Sequence, residues 1–172
     1  MGRTRTAGTA LLLALLVAVL LSLPGEGGQA AAVEPRVTTG SIVIPAPAFT
    51  PSGNQWNYSN NGNFLQVGTG YGHFFAPVQL PVPEATITRI TLYAYDNHPA
   101  QVCAVLYRIR PAVAVEKALG AACTTDSTAS PQAPYAAISG GLVNQATQSA
   151  YLHLSISGTG VRFYAVKITF TY

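Results

Sequence analysis

Residues 33–172 carry few groups able to do acid–base, thiol or metal chemistry. They are His73, His98 and His153; Glu34, Glu84, Asp96, Glu116 and Asp126; and Cys103 and Cys123. That is a thin stock for catalysis, which needs titratable groups gathered within hydrogen-bond reach of a substrate. No G-x-S-x-G elbow, H-E-x-x-H helix or P-loop occurs. Gly68-Thr69-Gly70-Tyr71-Gly72 has the glycine content of a phosphate loop, but no helical pattern follows it, and the helix N-terminus is what binds phosphate. Asp96 and His98 could ligate a metal together. Asp96, Asn97 and Pro99 each have a turn role of their own, and the turn reading is preferred. Glu84, after Pro81-Val82-Pro83, is read as a turn carboxylate, and His153, between Leu152 and Leu154, as a solvent-facing strand residue. No catalytic residue, metal or cofactor is expected.

Two other groupings stand out. Cys103 and Cys123 are the only cysteines, and in an exported chain the economical reading is one disulfide closing a loop of about 20 residues, against the alternative of two free thiols. Two thiolates without further ligands do not complete a zinc tetrahedron. The stretch Asn54-Gln55-Trp56-Asn57-Tyr58 sets the single tryptophan among amides. Trp56 and Tyr58, with Asn54 and Asn57, would form a platform on which a sugar ring could lie without charge. The competing reading makes Trp56 a lid packed over one end of the core, and the usual burial of tryptophan favours the lid. Asn57-Tyr58-Ser59 is also a formal glycosylation sequon.

The elements that must position these groups are strands. Ile90, Leu92 and Ala94 alternate with Arg89, Thr91, Tyr93 and Tyr95, and Val102, Ala104 and Leu106 alternate with Cys103, Val105 and Tyr107. With Asp96-Asn97-His98-Pro99 between them, residues 86–110 are read as a β-hairpin. A second hairpin is read at 150–172, with Leu152, Leu154 and Ile156 on one face, Tyr164, Val166, Ile168 and Phe170 on another, and Gly158-Thr159-Gly160 as the turn. Ser41–Ile44 reads as an edge strand stopped by Pro45 and Pro47. Further strands are expected near 64–67, 73–80 and 135–138, and 126–134 is expected to be loop. The segment 113–125 has helix formers in Glu116, Lys117, Ala118 and Leu119, but Val113, Val115 and Gly120 favour a strand over 117–124. Seven to nine short strands with Gly and Pro turns read as an all-β, antiparallel, jelly-roll-like sandwich.

Before this domain, Arg3 and Arg5 precede an apolar run from Ala10 to Leu21, Pro24-Gly25 breaks it, and Ala30-Ala31-Ala32 offers a cleavage site. Residues 1–32 therefore read as a cleaved secretory signal peptide and residues 33–172 as one exported domain. The run is too short to span a membrane, so no span is expected after cleavage. Mass spectrometry of the secreted protein would check for an N-terminus at Val33. Removing residues 1–32 leaves seven basic and five acidic side chains, so the pI near 9.0 reflects scarce charge rather than a basic domain, and nucleic acid is not implied. Charged residues make up only 9% of the chain, so a surface of Ser, Thr, Asn, Gln and Tyr is expected.

The runs Phe75-Ala76-Pro77-Val78-Gln79-Leu80-Pro81, Ile90–Asn97, Leu106-Tyr107-Arg108 and Arg162–Ile168 resemble a group of small secreted bacterial β-sandwich proteins of uncharacterised role. The resemblance covers most of residues 33–172, implies a bacterial exported β-domain and brings no activity with it. The function expected is that of a secreted or cell-surface, non-catalytic protein acting by binding or self-association, with a glycan, a protein or a second copy as partner. A carbohydrate-binding module using the Trp56 loop is the alternative, and an extracellular hydrolase the third reading.

Overall fold

Strands whose side chains alternate between apolar and polar must pair edge to edge and bury one face, and here they do so as two stacked sheets. The computed structural model describes residues 36–53, 57–125 and 127–172. The stretch read as a signal peptide lies outside the described residues, as do Glu34, Asn54, Gln55, Trp56 and Asp126. Thirteen strands occur among the described residues, more than the seven to nine expected, because several are fragments of two to five residues laid along longer strands.

The first sheet has eight strands, all antiparallel to their neighbours. Its centre is β6 (Glu84–Asp96) paired with β13 (Arg162–Thr171). Along the free edge of β13 lie β1 (Thr39–Pro45) and then β4 (Leu65–Val67), with β3 (Tyr58–Asn60) beyond β4. Along the other edge of β6 lie β9 (Thr128–Gln132), β10 (Tyr135–Ala137) and β11 (Leu142–Asn144). The second sheet runs β2 (Thr50–Pro51), β5 (Tyr71–Val78), β12 (Ser149–Ser157), β7 (Cys103–Arg110), β8 (Val115–Cys123). Ile87, Ile90, Leu92, Phe163, Ile168 and Phe170 from the first sheet close on Phe74, Leu106, Leu152, Leu154 and Ile156 from the second, all buried. This is the antiparallel sandwich that the strand spacing implies.

Several expectations are corrected. Residues 86–110 do not form a hairpin: β6 belongs to the eight-stranded sheet and β7 to the five-stranded one, and the chain arches between them through residues 97–102. The 150–172 pair is likewise an arch, with β12 and β13 in different sheets. A hairpin and an arch share the same alternation. The arch wins because it points Ile90, Leu92 and Ala94 at the same interior as Ala104 and Leu106, sealing both apolar faces in one core. Gly158 and Gly160 still supply the positive φ that the tight second crossing needs. On β13 a register shift between Phe163 and Ala165 turns Phe163 inward and leaves Tyr164 half-exposed, so the inward set is Phe163, Val166, Ile168 and Phe170. Residues 128–132, expected as loop, form β9, whose Pro131 is tolerated because the strand sits at an edge. The 113–125 segment is strand β8, longer than expected, with a bulge opposite Leu106 and Tyr107. Among the described residues no helix is long and apolar enough to cross a membrane.

Candidate functional site

On the outer face of the five-stranded sheet, positions that should carry small polar residues carry rings. Register fixes their neighbours: Tyr107 faces Tyr151 across β7 and β12, His153 faces Phe75 across β12 and β5, and His73 stands one rung further along, opposite Ser155. Tyr107 and Tyr151 stack at 5.1 Å and 10°, and Tyr151 leans on Phe75 at 5.7 Å. Phe75 stacks on His153 at 4.9 Å, and His153 on His73 at 5.2 Å. Five rings thus form one continuous strip across three strands. Phe75 is 37% exposed and the others are half-buried, so the strip is supported from below and open above.

Polar groups border it. The Tyr151 hydroxyl donates to Glu116 Oε1 on β8, and His73 Nδ1 and His153 Nε2 lie 3.1 Å apart, one ring donating to the other. Burial pushes the His153 pKa below the ordinary 6.5, the nearby His73 adds to that, and Glu116 partly opposes it. Between the lowered value and 6.5 the unfolded chain binds the proton that the folded chain refuses, so stability contributed by neutral His153 is lost as pH falls through 6.5. Thermal melting at a series of pH values should show the midpoint dropping in that window, and His153→Gln should flatten the slope. An unchanged slope in the variant would contradict the assignment.

At the end of the strip the outward series on β5 continues to Tyr71, which is 75% exposed and faces Ser157. There an open cleft of about 380 Å³ is lined by Thr69, Tyr71, His98, Ser157 and Thr159. Gly70, Ala100 and Gly158 complete the lining, so hydroxyls, an imidazole and a phenol ring stand among apolar surface, with no Asp, Glu, Lys or Arg.

The residues singled out from sequence are partly brought here. Cys103 and Cys123 face each other on β7 and β8 and are joined by a disulfide on this same outer face. Tyr58 sits elsewhere, its ring edge-on to buried Phe74 at 5.4 Å. Asn57 closes its own loop: its backbone oxygen accepts from Gly68 N–H at 2.8 Å and its Nδ2 donates to Thr69 Oγ1 at 2.7 Å. Asn54 and Trp56 fall outside the described residues; Ser52, before them in the chain, donates its N–H to the His73 carbonyl at 2.8 Å. Tyr93 and Tyr95 lie on the eight-stranded sheet and Tyr107 on the five-stranded one, so the three form no common patch. His153 is on the outer face as expected, though engaged with His73 and Phe75. Asp96 is a buried turn residue, and among the described residues no group of three His, Cys, Asp or Glu could hold a metal ion. The strip itself was missed. Its signal was there as ring-bearing outward positions, Tyr-x-His-x-Phe at 71–75 and Tyr-x-His at 151–153.

The fold and site therefore define an antiparallel β-sandwich with a ring-covered sheet face. No protein-family model matches the chain, and no curated protein matches it. Solved structures with a similar backbone include the CBM36-1 domain of a multidomain xylanase from the hindgut metagenome of Trinervitermes trinervoides, at 13% identity and TM-score 0.48 over 75% of this chain and 96% of that one. A family 29 carbohydrate binding module from Piromyces equi aligns at 11% identity and TM-score 0.46, covering 78% and 91% of the two chains. A family two carbohydrate esterase from Cellvibrio japonicus aligns at 10% and 0.39 over 78% of this chain and 34% of its own. No residue role passes to this chain from likenesses at that level.

Proposed function

We propose that this protein is an exported, non-catalytic binding domain that holds a neutral polysaccharide chain along the ring strip of the five-stranded sheet. The observation that carries the reading is the strip itself: Tyr107, Tyr151, Phe75, His153 and His73 in unbroken contact on a solvent-facing sheet. A row of uncharged rings offers apolar surface to the C–H faces of sugars, while Glu116, the imidazoles and the hydroxyls of the adjoining cleft offer hydrogen bonds. At about 3.3 Å per strand residue, the outward rings at positions 71, 73 and 75 of β5 span roughly 13 Å, enough to lie along more than one sugar unit. Export rests on the N-terminal layout, and the disulfide suits an oxidising compartment.

The test is affinity electrophoresis against a panel of soluble neutral polysaccharides. At least one should retard the protein, and Tyr151→Ala should weaken that retardation about tenfold or more, the scale of one aromatic anchor. The melting point should fall by only a few degrees, since the ring is half-exposed. Retardation by none of the panel would remove the reading. A second reading, self-association through the same strip, is favoured by the exposed Phe75 ring. Light scattering separates the two, because a strip-mediated dimer dissociates in Tyr151→Ala while a glycan binder is monomeric in both forms.

A further inference from the structure

The opposite face of the sandwich has a different chemistry. Across the two central strands of the eight-stranded sheet, register sets Arg162 beside Tyr95, Ala165 beside Tyr93, Lys167 beside Thr91, and Thr169 beside Arg89. Three cations thus follow one another along a stripe of roughly 20 Å at about 3.3 Å per residue, with tyrosines and threonines between them. The guanidinium of Arg162 lies over Phe64 at 5.1 Å and reaches Tyr95 at 5.8 Å, while that of Arg89 lies over Tyr135 at 4.6 Å. Among the described residues, neighbouring rings rather than carboxylates lie against both guanidiniums. Among the described residues the acidic side chains lie elsewhere: Asp96 is buried, Glu116 stands on the five-stranded sheet, and Glu84, at the far end of β6, accepts from Asn144 Nδ2 at 2.8 Å.

We infer that this stripe is a second binding surface, and that its ligand is an acidic polysaccharide, a sugar polymer bearing carboxylates or sulfates. A guanidinium resting on a ring has one face covered and its edge N–H groups turned outward, ready for a bidentate anion. A small anion would meet one of the three cations, whereas a linear polyanion meets all of them, and the intervening Tyr93, Thr91 and Thr169 hydroxyls suit a hydroxylated chain. Single-stranded nucleic acid fits less well, because it binds by stacking bases on open rings and here Tyr95 and Tyr135 are covered by arginines. The two faces would let one domain join a neutral and an acidic polymer.

Polygalacturonate is the probe, with dextran and a single-stranded oligothymidylate as comparators, each run by affinity electrophoresis at low and raised salt. The expected result is retardation by polygalacturonate that weakens with salt, at least about tenfold weaker in the triple variant Arg89→Gln, Arg162→Gln, Lys167→Gln. Tyr151→Ala should bind polygalacturonate as the parent does, which separates this surface from the ring strip whether or not the strip binds a glycan. If the triple variant fails to fold, Lys167→Gln alone leaves both ring-stacked arginines in place and must still weaken binding. No retardation by polygalacturonate, retardation indifferent to these substitutions, or equal retention of oligothymidylate would each overturn the assignment.

Discussion

Deleting Lys167–Tyr172 is expected to leave the chain unable to reach a soluble folded state. The segment is the second half of β13, the strand held between β6 and β1 at the centre of the larger sheet. Its removal takes away Ile168 and Phe170, both essentially inaccessible to solvent, and each large apolar side chain lost from a core costs about 2 to 5 kcal/mol. It also strips the ladder partners from Thr39 to Val43 of β1 and Thr86 to Thr91 of β6, along with the mutual backbone bonds between Thr38 and Tyr172. Against a total stability of roughly 5 to 15 kcal/mol for a domain, losses of that order leave nothing in reserve. The newly open edges of β1 and β6 would then favour aggregation. Soluble yield and far-ultraviolet circular dichroism of the truncated protein are the readouts. A soluble product with the parental melting temperature would show that the strand is peripheral.

The second large effect is expected at Asp96. The residue is 1% exposed and sits where the chain leaves the eight-stranded sheet. Oδ1 accepts from His98 N–H at 3.0 Å, and Oδ2 accepts from the Thr124 hydroxyl, just beyond the end of β8 in the other sheet. Thr124 Oγ1 in turn accepts from Val102 N–H at 2.9 Å, and Thr124 N–H returns a bond to the Val102 carbonyl. One aspartate therefore joins the two sheets and shapes the arch between them. Asp96→Ala leaves the His98 amide and the buried Thr124 hydroxyl without their acceptor, and hydrogen bonds to a charged group are worth about 1.5 to 3 kcal/mol each. The expected loss is about 3 to 5 kcal/mol by denaturant unfolding. Asp96→Asn keeps one acceptor oxygen and should lose less. Equal stability of Asp96→Ala and the parent would show the network to be dispensable.

The sequence by itself determined where most of the long strands run and which side of them is buried, though not the start of β13, where the bulge turns Phe163 rather than Tyr164 inward. Ile90, Leu92, Ala94, Ala104, Leu106, Leu152, Leu154 and Ile156 are all interior, as their alternation requires, because the period of two records burial directly. The cysteine count pointed to the pairing that forms, and Asp96 does bond the backbone two residues on, at His98 N–H, though in an arch rather than a hairpin turn. Strand partners were beyond its reach. Alternation reports the buried face and is silent on whether the next amphipathic strand bonds alongside or crosses the core, so both arches looked like hairpins. Fragments such as β9 and β11 carry too few residues for a period to show, and they are strands only because the long edge of β6 is there to receive them. The same reason hid both candidate surfaces. Phe75, Tyr107 and Tyr151 come from strands far apart in the chain, and Arg89 and Lys167 from two others, so their adjacency is a property of register between non-consecutive strands. Tertiary structure sorted the outward rings into a neutral strip on one sheet and a cationic stripe on the other, because each arch delivers neighbouring segments to opposite faces of the sandwich.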